Sequence, residues 1–214
     1  WTIERSESVT RPYAELGLQY HNRVNDKVGY NIGIVGGLKT KLPMEGKLET
    51  TDPDGYYVVD KTYSGDVQYL PAFIGIGFSV NFRNRIVGAL DYRYQQWSYL
   101  TSNSSSVTFT DTHKLSGGMS ILPRLYGRKW AQRLKYQVGG TLSSSYLKLQ
   151  GKTPLNYSVT AGAVFPLSYS NTMNVGLEYG RTGLRTTGKI QEQYLKLTVG
   201  FNFGERAFFR QKFD

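Results

Sequence analysis

The sequence predicts an all-β protein: about nine antiparallel strands in an up-and-down order, forming a transmembrane β-barrel. Three observations point there. Apolar residues alternate with small or polar ones along almost the whole chain, most alternating rows last ten residues or more, and aromatic residues gather towards the ends of the rows. The composition agrees: the 214 residues include 17 Tyr and 24 Gly but no Cys. Tyr favours strands and Gly weakens helix interiors, so this mix suits strands joined by tight turns.

The rows follow in order. Ala14, Leu16, Leu18 and Tyr20 form the first, with Glu15, Gly17 and Gln19 between them, and predict a strand over 13–23. After the polar turn at Asn25, Asp26 and Lys27, a row from Val28 through Tyr30, Ile32 and Ile34 predicts 28–48. The stretch "LPAFIGIGFSVNFRNRIVGALDYRYQQW" over 70–97 predicts a hairpin, 69–82 and 85–99, turning at Arg83-Asn84. Its first strand points Ala72, Ile74, Ile76, Phe78, Val80 and Phe82 one way, and Phe73, Gly75, Gly77, Ser79 and Asn81 the other. Leu115, Gly117, Met119 and Ile121 predict 107–122, and a row from Leu134 to Leu142 predicts 132–148. Rows from Leu155 to Phe165, Met173 to Tyr179 and Leu195 to Phe203 predict 154–166, 172–184 and 190–203. No composition break or linker interrupts 1–214, which reads as a single barrel domain. Residues 24–27, 83–84 and 167–171 read as short turns, and 49–68 and 100–106 as longer polar loops; residues 123–131 are the one sizeable connection on the short-turn side.

A soluble sandwich or lipocalin-like barrel also alternates, with its apolar rows turned inward. Strand length separates the two readings, because globular strands run to ~5–6 residues and tilted membrane strands to ~9–11. Tyr13, Tyr20, Phe82, Tyr92, Tyr94, Tyr136, Tyr146, Tyr157, Phe165, Tyr179 and Phe203 suit the aromatic girdles of an outer-membrane barrel. The polar rows are Gly, Ser, Thr, Asn and Gln, where a soluble exterior carries more Lys and Glu. The longest uncharged apolar stretch, 67–82, holds Pro71 and two glycines and falls short of the roughly 20 residues of a membrane helix. The first residue is Trp1, which suggests a mature or truncated product. An open sheet edge in hydrocarbon would strand backbone N–H and C=O groups, so such a sheet has to close. Nine is an odd number for a bacterial barrel, which points to further strands completing the wall.

Four segments resemble the C-terminal part of FadL-type outer-membrane transporters, the family that takes up long-chain fatty acids and other hydrophobic compounds. They are "YLPAFIGIGFSVNFRNRIVGALDYRYQQWS" (69–98), "HKLSGGMSILP" (113–123), "NVGLEYGRTG" (174–183) and "YLKLTVGFNFGERAFF" (194–209). The resemblance covers most of the chain, loosely before residue 60. It implies a 14-stranded barrel with an N-terminal hatch and a lateral opening, of which 1–214 would be the last nine or so strands. No segment matches the hatch, so its ligand contacts carry over to no residue of this sequence.

In this register Asp91, Arg93, Gln95, Glu178 and Lys196 are the lumen-facing candidates, a polar pathway or a network that fills the barrel. Ile74, Ile76, Phe78, Val80, Leu195, Leu197, Val199 and Phe201 are the lipid-facing candidates. The only histidines, His21 and His113, fall near opposite ends of the wall with no paired Ser or Asp, and no His/Asp/Glu cluster has metal-ligand spacing. The sequence therefore predicts no enzyme, no cofactor and no metal.

The net charge of +10 raises nucleic acid, anionic lipid and lipopolysaccharide as partners. No nucleic-acid-binding motif accompanies it. Instead Arg23, Lys27, Arg83, Arg85, Arg124, Arg128, Lys129, Arg133, Arg206, Arg210 and Lys212 collect at the short-turn, periplasmic end. Asp52, Asp54, Asp60 and Asp66, with Tyr56, Tyr57 and Tyr63, mark 49–68 as an acidic outer loop. The function that the resemblance to FadL-type transporters implies is passive uptake of hydrophobic small molecules across the bacterial outer membrane. The alternative is a structural or accessory barrel in a larger outer-membrane complex. Outer-membrane lipid and lipopolysaccharide, a hydrophobic ligand and partner proteins are the expected partners.

Overall fold

A computed structural model of the protein describes residues 2–43, 45–54, 56–64, 68–100, 107–124, 127–149, 151–168, 170–183 and 191–204. Nine strands form one antiparallel sheet in which spatial order equals chain order. They are β1 (Glu15–Asn25), β2 (Val28–Gly37), β3 (Phe73–Phe82), β4 (Ile86–Gln95), β5 (Thr112–Ile121), β6 (Lys135–Ser144), β7 (Leu155–Pro166), β8 (Thr172–Gly183) and β9 (Gln191–Asn202). Each runs 10 to 12 residues. This is the expected all-β meander. β1 and β9 are its two edges.

Turn chemistry fixes the register. Arg83 (φ 54°) and Asn84 (φ 50°) both adopt left-handed backbone at the centre of the turn, which the Arg85 N–H closes onto the Phe82 carbonyl at 3.0 Å, leaving Phe82 and Ile86 as the first pair of the ladder. Asn25 closes the β1–β2 turn by accepting the N–H groups of Lys27 and Val28, both at 2.9 Å. The two turns are joined to each other, because the Arg83 N–H donates to the Lys27 carbonyl.

The register puts the apolar rows on one face. One row crosses all nine strands as Tyr20, Ile32, Phe78, Leu90, Gly117, Gly140, Val159, Tyr179 and Leu195. The neighbouring row on the other face runs His21, Asn31, Ser79, Ala89, Gly118, Gly139, Thr160, Glu178 and Lys196. Among the described residues no element covers the breadth of the first face. Among the described residues only Phe73 and Leu134 are buried hydrophobic side chains, while Phe78 is 45 % and Leu195 69 % exposed. A water-soluble fold would have buried these rows, so the sheet is built inside out.

The ends of the long predicted strands are corrected by what they pair with. The strand expected over 28–48 stops at Gly37, where the Phe73 ring and the Tyr13 hydroxyl occupy the space a Cβ would need. Its remainder forms Thr40–Leu42, which pairs with Gln68–Leu70, and Glu45–Thr51. The latter joins Thr2–Ser8 and Tyr57–Ser64 in a separate three-stranded sheet, so much of the expected loop over 49–68 is strand. Asp52 caps its hairpin by accepting the N–H groups of Asp54 (3.1 Å) and Tyr56 (2.8 Å).

The strand expected over 69–82 begins at Phe73, since Pro71 has no N–H to give a ladder. The one expected over 107–122 breaks around Asp111, leaving Val107–Phe109 to pair with Leu147–Leu149. The one expected over 132–148 starts at Lys135, after a 3₁₀ turn at Trp130–Gln132, and Leu134 between them is buried and so does not join the exposed row. Asp66, Arg206, Arg210 and Lys212 lie outside the described residues.

Candidate functional site

The polar face carries a concave hollow of about 560 Å³ over β1–β4. Glycine creates it: Gly17, Gly33, Gly75 and Gly77 contribute no side chain to this face, and Gln19, Asn31, Ser79, Asp91 and Arg93 stand around them. Two of these residues are fixed by their neighbours. The Asp91 carboxylate lies over Gly77, where a Cβ would come within 2.5 Å of Oδ1. The Arg93 guanidinium stacks 3.9 Å from the Phe73 ring centre, a cation–π contact that fixes the charge at the rim of the hollow. Asn31 Nδ2 donates to Ser79 Oγ at 3.0 Å on its floor.

Of the residues singled out from sequence, Asp91 and Arg93 are therefore brought together in the hollow. Gln95 is the last residue of β4, one row beyond them, opposite Phe73 and Thr112. Glu178 and Lys196 face each other across β8 and β9 at the far side of the sheet. There Tyr194 lies flat over Gly180 and donates its hydroxyl to Glu178 Oε1 at 2.9 Å. The Tyr194–Gly180 pairing is a large residue set opposite glycine on one face, a signal visible only once the register is known. Ile74, Ile76, Phe78, Leu195, Leu197, Val199 and Phe201 are all exposed on the apolar face, and Val80 stands in the same row, half covered between Tyr30 and Gly88.

The two histidines do not meet. His21 is on the polar face of β1, and His113 is on the apolar face of β5, 2.7 Å from the Tyr92 hydroxyl. No group of three or more His, Asp and Glu among the described residues could hold a metal ion.

At the long-loop end Asp111 ties the chain together outside the strands. Its carboxylate accepts the Tyr94 hydroxyl at 2.6 Å and the Ser98 N–H at 2.9 Å. Burial pushes this carboxyl up, but the hydrogen bonds from Tyr94 and Ser98 and the nearby His113 outweigh it, and it sits below the ordinary carboxylate value. Beside it Trp97 stacks on Tyr146 with ring centres 4.9 Å apart.

The opposite, short-turn end is basic. Arg23, Lys27, Arg83, Arg85, Arg124, Arg128, Lys129, Arg133 and Lys135 lie there, and Asp26 is the one acid among the described residues of those turns.

The model of a family described as BamG matches residues 2–214. Ten solved chains match, and two of them illustrate the shared fold. The CymD monoaromatic hydrocarbon channel has a TM-score of 0.54 at 18% identity, over 88% of this chain and 50% of that one. The P. putida toluene transporter TodX has a TM-score of 0.52 at 17% identity, over 94% of this chain and 54% of that one. The chain thus spans about half the length of the solved structures it matches. No curated protein matches it.

Proposed function

The chain belongs to the BamG family, and from that premise we propose that it forms wall of an integral outer-membrane β-barrel acting as an accessory subunit of a larger outer-membrane assembly. The observation that carries the membrane part is the uncovered apolar face running across all nine strands. In this reading Ile74, Ile76, Phe78, Val80, Leu195, Leu197, Val199 and Phe201 meet lipid, and Asp91, Arg93, Gln95, Glu178 and Lys196 face the lumen. Short turns mark the periplasmic end and the longer connections the outer one, as in other outer-membrane barrels. The unpaired edges of β1 and β9 are closed by further strands, in keeping with a 14-stranded wall. Family membership supports the accessory role.

A second reading, passive passage of a hydrophobic small molecule, is favoured by the likeness to the two hydrocarbon channels and by the hollow on the polar face. One comparison separates the two. The protein is extracted from outer membranes in mild detergent, and uptake of toluene and of a long-chain fatty acid is measured with and without it. The accessory reading expects a stoichiometric particle with other outer-membrane proteins and unchanged uptake on deletion. A lone, monodisperse barrel whose deletion slows uptake replaces it with the channel reading.

A further inference from the structure

The connection between β5 and β6 is long for the short-turn end, yet it is tightly built. The Arg124 N–H donates to the Gln132 carbonyl at 2.8 Å, the Gln132 N–H to Lys129 at 3.0 Å, and the Arg133 N–H to Trp130 at 2.9 Å. The Arg133 side chain contributes too, its Nε donating to the Gly127 carbonyl at 3.0 Å. Leu134 is buried beneath, 5 % exposed.

Two contacts set where this loop sits. The Tyr136 hydroxyl donates to the Ala131 carbonyl at 3.1 Å, and the Trp130 ring packs against Phe165 at 5.7 Å between centres. Tyr136 pairs with Ile121 and Ala163, and Phe165 with Met173, all in the apolar rows. The loop is therefore folded onto the outer edge of the apolar face and turned away from the hollow. Trp130 is 63 % exposed there, and Arg124, Arg128 and Lys129 beside it are exposed as well.

An indole at the border of an apolar wall, with free cations next to it, matches the headgroup layer of a bilayer: the ring takes the interface and the cations meet phosphate. We propose that this loop binds the phosphate headgroup of an anionic glycerophospholipid in the leaflet at the short-turn end, with Trp130 against the glycerol region and Arg124, Arg128 and Lys129 on the phosphate. The inference rests on the reading of the apolar face as a membrane wall. A negatively charged lipid fits better than a zwitterionic one because no acid among the described residues of the loop offsets the three cations.

The test uses the native chain in bilayer nanodiscs of phosphatidylcholine, with Trp1→Phe and Trp97→Phe leaving Trp130 as the only remaining Trp of the three. Phosphatidylglycerol or phosphatidylcholine brominated near the headgroup is added at equal mole fraction, and Trp130 quenching is read. Phosphatidylglycerol is expected to quench at least about threefold more. Arg124→Gln, Arg128→Gln and Lys129→Gln together are expected to bring the ratio to one, while Arg124→Lys with Arg128→Lys keeps it, as do Lys39→Gln and Lys41→Gln at the other end. Equal quenching by both lipids in the unmutated loop overturns the headgroup site, and so does a preference that survives the triple change. Trp130 shielded from both lipids, while a reporter at Phe201→Trp, in the row of Phe165, is quenched by both, also overturns it and leaves the wall standing. If neither reporter is quenched, the membrane-wall reading falls with it.

Discussion

Phe78→Arg places a charge near the middle of the apolar face, and its effect separates a lipid-facing wall from one covered by protein. β3 is 10 residues long, about 33 Å at ~3.3 Å per residue, and a tilt of ~40° reduces this to about 25 Å, the height of a barrel's apolar band. Phe78 lies five residues from one end and four from the other, flanked by Ile32 and Leu90, and is 45 % exposed. An arginine at the bilayer midplane costs about 2–4 kcal/mol, and one at the interface about 0–1 kcal/mol. Phe82, at the end of the same strand on the same face, is the matched interfacial control. Reversible folding of each variant into phospholipid vesicles, followed by denaturant titration, should show Phe78→Arg lowering the folding constant by roughly 30- to 700-fold, while Phe82→Arg lowers it by less than about tenfold. Equal losses at the two positions would refute a membrane depth profile and leave a face covered by protein as the better account.

Other consequences are smaller and local. Gly180→Ala puts a methyl where the Tyr194 ring lies, so denaturant titration should show a loss of about 1–3 kcal/mol; adding Tyr194→Ala should return part of it, a coupling that a double-mutant cycle measures. Tyr136→Phe removes the hydrogen bond to the Ala131 carbonyl, costing about 0.5–1.5 kcal/mol and speeding trypsin cleavage at Arg124, Arg128 and Lys129. Asp111 has a lowered carboxyl pKa, so its contribution is complete above the ordinary carboxylate value and is lost as pH falls through its lower folded value. With Trp97 as sole indole reporter, fluorescence should change on acidification below about pH 4, and Asp111→Asn should abolish that change.

Legibility in the sequence depended on whether a feature lives on one strand or between strands. The row from Ile74 to Phe78 is a property of β3 alone, and period two suffices to read which side it takes. The basic end was equally legible, because the short turns at 24–27 and 83–84 fix which connections share an end. Strand termini were not. Gly37 and Asp111 end or interrupt alternating runs because of contacts with Phe73 and Tyr94, neither of them adjacent in the chain. Thr2–Ser8 was missed for a different reason: in "TIERSES" a single Ile stands among polar residues, so a strand held by its partner Glu45–Thr51 carries no apolar alternation. The hollow also needed the register, since Asp91 and Gly77 are 14 positions apart and meet only because β3 and β4 pair them.

The glycines of the polar face bear most directly on what the wall is for. A small barrel that only had to be stable would fill its interior with its own side chains. Here the row beside Glu178 contains Gly118 and Gly139, and Gly33 and Gly77 lie beside Asp91. A sheet of nine strands spaced ~4.8 Å apart and tilted by ~40° would close at a radius of about 9 Å, and fourteen strands at about 14 Å. The wider closure enlarges the space that these glycines already leave open. Such a space has to be occupied by water, by a cargo molecule or by a folded segment. The charges set around it discriminate among them: Asp91 over Gly77 and Arg93 on Phe73 offer one acid and one base to whatever enters. A purely apolar cargo uses neither. A polypeptide plug, or water, uses both, so Asp91→Ala with Arg93→Ala should loosen a plug and raise ion conductance across a planar bilayer. If conductance is unchanged while hydrocarbon passage rises, the space belongs to cargo.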